Sequence, residues 1–470
     1  MTELWELGVG EAATAIRTGA VTAEQLAEAL LARIAAAAGL NAFIAVDGDQ
    51  VRAAARAADR TRAGGGMLPP LHGVPIALKD NLDTAGLPTT GGTPGLRSNR
   101  PKRDAEVVAR LKAAGALVLG KCNLHELAYG ITSNNGAFGP VRNPYAPSRI
   151  AGGSSGGTAA AVAARLCPGG IGTDTGGSVR IPAALCGIVG FRPTTGRWSQ
   201  HGIVPISHTR DTAGPMARSV ADCALLDGVV CGRSDAPTAM PLEGLRLGVP
   251  RRHFWEGLDR ELQTIAEAAL VRFRDAGIAL VDVDLGDAAT LDTAAGFPIA
   301  LYETVTDLTR YLAEHGSDLS FAELAARTAS PDVRAILQNL AGAGAVEETA
   351  YRDALETQRP ALQEAYRRQF GEHGVAALVL PTTPAPAAAL GEDETCTING
   401  VALPTFPTFI RNCSPGSVAG IPGLSLPAGL TGSGLPVGIE LDGPAGTDRQ
   451  LLAIGAALEP LLPRLPSPSA

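Results

Sequence analysis

Two serines set among glycines, and a lysine at the end of an apolar run, carry the strongest chemical signal in the chain. Residues 152–157 read Gly-Gly-Ser-Ser-Gly-Gly, and residues 172–180 read Gly-Thr-Asp-Thr-Gly-Gly-Ser-Val-Arg. From Gly152 to Gly177, 9 of 26 residues are glycine, against 57 of 470 in the whole chain, so the clustering needs a cause. Lys79 closes the run Val74, Pro75, Ile76, Ala77, Leu78. Dehydrating a lysine at the end of such a strand disfavours its charged form, lowers its pKa and leaves a neutral amine able to act as a base. Ser154 and Ser178, in glycine-flexed backbone, then supply a proton relay and a nucleophile. The glycines ahead of Ser178 let the N–H groups of Thr175, Gly176, Gly177 and Ser178 point at one spot, as an oxyanion hole requires.

Two other chemistries compete for the same glycines. A phosphate cradle would need G-x-x-x-x-G-K-[ST], or G-x-G-x-x-G after a strand with an acidic residue about 20 further on, and neither is present. The nucleophile elbow G-x-S-x-G is matched by both Ser154 and Ser155, but it must cap a buried strand. The preceding Asn143-Pro144-Tyr145-Ala146-Pro147-Ser148 is a proline-broken loop. His201, His208, His253, His315 and His373 follow, none in a distinguishing setting. His72 and His125 read as hydrogen-bonded structural residues, Cys186 as core, and Cys122 as a thiol without a partner that would activate it.

The elements that must position these groups alternate. Thr22 and Gln25 have capping-box spacing and open a helix over 22–36 with Leu26, Leu30, Leu31 and Ile34 on one face. Helices are predicted near 50–63, 104–115, 123–129, 258–276 and 446–459. Strands are predicted at 74–78, 117–119, 245–249, 278–283, 376–380, 424–426 and 437–441. Residues 300–370 read as helical and Ala-rich. Strand material brackets them, so the pattern is one α/β sheet domain with a helical insertion.

Composition narrows the partners. The 39 Lys and Arg against 47 Asp and Glu give a net charge of −8, and no basic cluster offers a footprint for nucleic acid or an anionic membrane. Seven cysteines form no CxxC pair and no zinc-ligand spacing, so neither a metal nor another cofactor is expected. Reduced thiols, an N-terminus without the pattern of a signal peptide, and apolar runs too short for a membrane span point to the cytoplasm.

Three segments, GVPIALKDN around Lys79, GGSSGGTAAAVAARL around Ser154 and GTDTGGSVRIPAALCGIVGFRPT around Ser178, resemble the amidase signature family in order and spacing. The similarity runs from about residue 20 to 458. It implies a large mixed β-sheet covered by helices. The N-terminal helices would occupy 1–65, the signature core 66–230, the helical insertion about 290–370 and the C-terminal sheet and helix 371–458, with a loose tail at 459–470. The resemblance further implies a Ser-cisSer-Lys triad: Ser178 as nucleophile, Ser154 as relay after a cis peptide from Gly153, and Lys79 as base. Asp174 and Arg180 match positions that shape the Ser178 loop.

The flanking segments ELAYGITSNNGAFGPVRNPYAPSRIAGGSSGG, VPISHTRDTAGPMARSV and FIRNCSPGSVAGIPGLSLPAG are most similar to the family's bacterial indoleacetamide and mandelamide hydrolases. That implies a small primary arylacetamide as partner, with carboxylate and ammonia as products. The substrate-pocket candidates are Tyr129, Ile131, Thr132, Asn134, Phe138, Gly153, Ile203, Phe409, Ile410, Arg411 and Asn412. The same site would serve ester or carbamate hydrolysis, or an amidotransferase A subunit. A binding module without turnover is the reading from another class, and a homodimer is compatible with the sequence.

Overall fold

The computed structural model describes residues 3–233 and 240–468. The apolar runs become strands of one mixed sheet of eleven. In chain order these are β1 (Phe43–Ala45), β2 (Pro75–Lys79), β3 (Leu117–Cys122), β4 (Gly169–Asp174), β5 (Val189–Arg192), β6 (Thr212–Ala217), β7 (Arg246–Pro250), β8 (Ala279–Val283), β9 (Ala377–Pro381), β10 (Gly423–Leu430) and β11 (Pro436–Asp442). Across the sheet they lie in the order β1-β3-β2-β4-β6-β5-β10-β11-β9-β7-β8. Strand β2 runs parallel to both β3 and β4, and β4 pairs antiparallel with β6. Three two-stranded ribbons complete the strand content of the described residues.

Every strand expected from an apolar run is present. Four strands had no such signal: β1, β4, β5 and β6. The most consequential is β4, a fully buried Gly-Gly-Ile-Gly-Thr-Asp strand inside the glycine cluster. Its glycines permit close approach. A Cβ on Gly170 would come 2.7 Å from Thr158 Cγ2, and one on Gly172 would come 2.7 Å from Ser155 Oγ. Helix α1 (Gly156–Ala163), with no exposed residue, can therefore lie directly on the sheet and carry the Ser154 turn with it. Just downstream of Ser178, α2 (Arg180–Leu185) is likewise wholly buried.

The capping box at Thr22 and Gln25 forms, opening the helix Ala23–Ala36. The predicted helix at 123–129 shrinks to one 3₁₀ turn, Glu126–Ala128, because Leu127 takes a left-handed φ of 51°. Between β8 and β9 the chain is helical, led by α3 (Ala288–Glu314), with Pro298 inside it, and including α4 (Pro331–Leu340). Two large hydrophobic clusters fill the molecule, one around β2 and α1 and the other around β7, β9 and β11. The C-terminal segment read as loose lies against the body up to residue 468. Leu462 is buried, and Tyr145 donates to the Pro466 carbonyl at 2.9 Å. Among the described residues no helix is long and apolar enough to cross a membrane.

Candidate active site

Lys79 ends β2, and Thr173 lies near the end of the neighbouring β4, so the sheet sets the two side by side. Lys79 is fully buried. Its Nζ lies 2.7 Å from Thr173 Oγ1, 3.4 Å from the Thr173 carbonyl and 2.8 Å from Ser154 Oγ. Asn81 Nδ2 also donates to Thr173 Oγ1, at 3.0 Å. A neutral amine has two N–H donors and one lone pair. With the donors directed at the two Thr173 oxygens, the lone pair is left facing the Ser154 hydroxyl.

Burial pulls the Lys79 pKa down to about 7, against the opposing pull of Asp174 and Asp211. A second buried lysine in the same sheet shows what pairing would look like. Lys121, on β3, has Asp80 at 3.2 Å and further contacts to Leu82 O, Pro88 O and Thr89 Oγ1. Lys79 has no carboxylate within 4 Å among the described residues, so its ammonium form would have only neutral oxygens to lean on.

The Gly153–Ser154 peptide is cis. Ser154 is buried, and its carbonyl accepts from His125 N at 3.1 Å. The next residue ties the two serine segments together. Ser155 N donates to the Ser178 carbonyl at 3.2 Å, while Ser155 Oγ donates to Thr173 O at 3.1 Å and accepts from Thr173 N at 3.2 Å.

Asp174 organises the loop that follows β4. Its carboxylate accepts from Gly177 N at 2.8 Å and Val179 N at 3.1 Å, and it pairs with Arg180 at 3.2 Å and Arg192 at 2.8 Å. Burial alone would raise this carboxyl, but Arg180 and Arg192 hold it well below the usual carboxylate range. Arg180 is itself held by Glu440, Ser417 Oγ and the Cys413 carbonyl. Thr175 is fixed from the other side by Asp211, whose Oδ1 accepts from Thr175 Oγ1 at 2.5 Å. Of the four candidate oxyanion donors, Gly177 is therefore spent on Asp174, whereas Thr175, Gly176 and Ser178 line a cavity.

That cavity is about 320 Å³, within the usual range for a small-molecule site. Its walls are mainly apolar: Tyr129, Ile131, Ile206, Phe297, Leu301, Ile336, Phe406 and Ile410, with Asp292, Arg210 and Ser414 among the polar groups. Ser178 is half-buried and faces this space, with the buried Ser154 and Lys79 deeper in the protein.

The pocket candidates divide. Tyr129, Ile131 and Ile410 line the cavity. Gly153 sits behind it, where a Cβ would come 2.9 Å from the Ile131 carbonyl carbon. Asn134 stands behind the cavity residue Asp393 and donates to it at 2.6 Å, while Thr132 Oγ1 is 3.4 Å from His125 Nδ1. The other five lie elsewhere. Phe138 stacks under Arg97, 5.2 Å from the guanidinium carbon. Ile203 bridges to Leu82, and Phe409 is packed in a satellite cluster with Ile131, Ile181 and Leu185. Arg411 donates to the Glu256 carbonyl, and Asn412 to those of Phe254 and Pro381. His72 and His125 make structural bonds, to the Ala58 carbonyl and to Asp332.

Sequence reasoning missed Thr173, Arg192, Arg210, Asp211 and Asp292. Thr173 lay inside the motif between Gly172 and Asp174, and Lys79 needs acceptors, so it was findable. Asp292 lies 114 residues beyond Ser178 with no local signal.

The Amidase family model matches residues 25–452. An indoleacetamide hydrolase of Agrobacterium vitis is 47% identical over 93% of this chain and 92% of its own length. The mandelamide hydrolase of Pseudomonas putida is 42% identical over 99% and 93%. Among solved structures, the native peptide amidase from Stenotrophomonas maltophilia superposes with a TM-score of 0.85 at 33% identity, covering 98% of each chain. With the sheet, the buried Lys79–Ser154 contact and the Ser178 loop all in one place, and a family match across nearly the whole length, this chain belongs to the amidase family.

Proposed function

We propose that this amidase hydrolyses small primary amides of aryl-substituted acetic acids to carboxylate and ammonia, with Ser178 as nucleophile, Ser154 as proton relay and Lys79 as base. The observation that carries the proposal is the 2.8 Å contact between a fully buried, unpaired lysine amine and Ser154 Oγ, behind a serine that faces an apolar cavity.

In the first half-reaction, Ser178 Oγ attacks the amide carbon as its proton passes to Ser154 Oγ and the Ser154 proton passes to Lys79 Nζ. The carbonyl oxygen gains negative charge, and the N–H groups of Thr175, Gly176 and Ser178, three residues that line the cavity, are the donors we assign to it, while Gly177 N–H holds the loop to Asp174. The relay then runs in reverse. Lys79 returns its proton through Ser154 to the amide nitrogen, the C–N bond breaks, and ammonia leaves an acyl-Ser178. Water attacks the ester by the same route and releases the acid.

The aryl group belongs in the apolar part of the cavity, and the relatives named indoleacetamide hydrolase and mandelamide hydrolase favour that class of acyl group. The seven unpaired cysteines suit a reducing, cytoplasmic setting.

Ammonia release from indole-3-acetamide, mandelamide, phenylacetamide, glutamine and an aryl carbamate tests the substrate class. The arylacetamides should exceed glutamine in kcat/KM by roughly 10- to 100-fold, the worth of burying an aryl group. A preference for glutamine or the carbamate would overturn the class. Unchanged hydrolysis by purified Ser178→Ala would overturn the assignment of the nucleophile.

A further inference from the structure

One wall of the cavity is not apolar. Asp292, on the first turns of α3, lines it together with Arg210 and Ser414. Asp292 Oδ1 accepts from Ser414 Oγ at 2.8 Å, and among the described residues no donor reaches Oδ2. Burial pushes the carboxyl up to about 6, opposed by the Arg210 cation and the Ser414 bond.

Two other carboxylates touch the cavity, and each is disposed of differently. Asp332 is 50% exposed and bonded to His125. Asp393 accepts from Asn134 through one oxygen and has the other sealed from the open space. That leaves Asp292 Oδ2 as an acceptor that faces a cavity with mainly apolar walls, where a ligand that covers it without donating a hydrogen bond incurs a desolvation cost.

Asp292 shares the cavity with Ser178 and is tied to the Ser178 loop through Arg210. Arg210 donates to the Gly296 carbonyl, one turn beyond Asp292 on α3, at 2.5 Å. The same guanidinium reaches the Ser178 loop, since a Cβ on Gly176 would come 3.6 Å from its Nη2. Arg210 therefore spans from the Asp292 turn to the oxyanion loop.

We infer that the Asp292 carboxylate is a specificity determinant that accepts a hydrogen bond from an N–H or O–H group on the acyl half of the substrate. The inference rests on the arylacetamide reading and sharpens it to donor-bearing acyl groups, such as an indole N–H or an α-hydroxyl. A site built to accept such a bond discriminates against the analogue lacking the donor, because the carboxylate is then desolvated and unpaired.

The test pairs each donor-bearing amide with its donor-free counterpart: indole-3-acetamide with benzothiophene-3-acetamide, and mandelamide with phenylacetamide. In at least one pair the wild-type protein should favour the donor-bearing member in kcat/KM by roughly 10- to 100-fold, the scale of one hydrogen bond to a charged acceptor. Asp292→Asn, which keeps the volume and the bond to Ser414, should bring that ratio below about threefold. Wild-type ratios near one in both pairs would overturn the inference, and this arm needs no variant to fold. A ratio that persists in Asp292→Asn would overturn it as well. If a fluorophosphonate labels Ser178 and none of the four amides is turned over, the arylacetamide reading fails instead.

Discussion

Replacing Lys79 with methionine should abolish turnover and yet stabilise the protein at neutral pH. The apolar stem keeps its packing in the β2 environment and only the amine is lost. In the unfolded chain that amine has its ordinary pKa of 10.5, and folding brings it to about 7 by burial, with Asp174 and Asp211 opposing. Between those values the unfolded chain binds a proton that the folded protein does not, so stability rises as pH climbs from about 7 towards 10.5. At about 1.36 kcal/mol per pKa unit, the penalty on the wild-type fold reaches about 5 kcal/mol at pH 7 and below, and vanishes above the unfolded value. Methionine removes that penalty. It also forfeits the bonds of Nζ to Ser154 and Thr173, a pH-independent loss of about 2–3 kcal/mol. The variant should therefore be more stable by about 2 kcal/mol at pH 7, and its advantage should shrink by about 1.4 kcal/mol per pH unit above that. Urea unfolding of both proteins from pH 6.5 to 9.5 reads the slope directly. A difference that is flat with pH, or that widens as pH rises, would refute the neutral amine and with it the role of Lys79 as base.

Two further outcomes follow from the packing. Asp174→Asn removes the charge that Arg180 and Arg192 share in a fully buried site, so urea unfolding should show a loss of about 3–5 kcal/mol; a loss under about 1 kcal/mol would mean Glu440 alone balances both arginines. Phe409→Ala should cost about 3–5 kcal/mol in stability and lower kcat/KM alike on aryl and short aliphatic amides, whereas Phe297→Ala, 48% exposed at the cavity wall, should cost under about 1 kcal/mol and weaken aryl amides selectively. Aryl-selective loss in Phe409→Ala would contradict its place in the core.

What was legible in the sequence was what local composition expresses. The run Val74–Leu78 is apolar because β2 is buried on both faces, and Lys79, which ends that strand, is dehydrated for the same reason. The pair Asp174 and Arg180 was legible as a loop-shaping contact because both partners flank Ser178. Its extension to Arg192 and Glu440 was not, since those come from β5 and β11, brought together only by the sheet order. The segment 409–412 failed for a related reason. Consecutive residues on the short helix Thr405–Ile410 and just beyond it point in different directions. Ile410 reaches the cavity while Phe409 turns into the core, and Arg411 and Asn412 satisfy carbonyls of two other segments. No feature of the local sequence sets that phase.

The glycines show most clearly how composition underdetermines function. Read alone, the surplus between Gly152 and Gly177 signals flexible loop and freely convergent N–H groups. In the folded chain Gly170 and Gly172 lie in a buried strand, where a side chain would collide with Thr158 and Ser155. Only because those two positions lack a Cβ can α1 settle on β4 and bring the Ser154 turn to Lys79, which itself hangs on Thr173 of that strand. Gly177 adds the opposite lesson. Its φ of 132° suits glycine, yet its N–H is bonded to Asp174, so it fixes the loop and is already committed within the protein. A Cβ there would come 2.6 Å from Cys413 Cβ, so an alanine at 177 would disturb the loop by steric clash and by backbone strain together. The site is therefore built less from mobile backbone than from backbone packed too tightly to admit side chains, with Ser178 presented where that packing ends at the cavity.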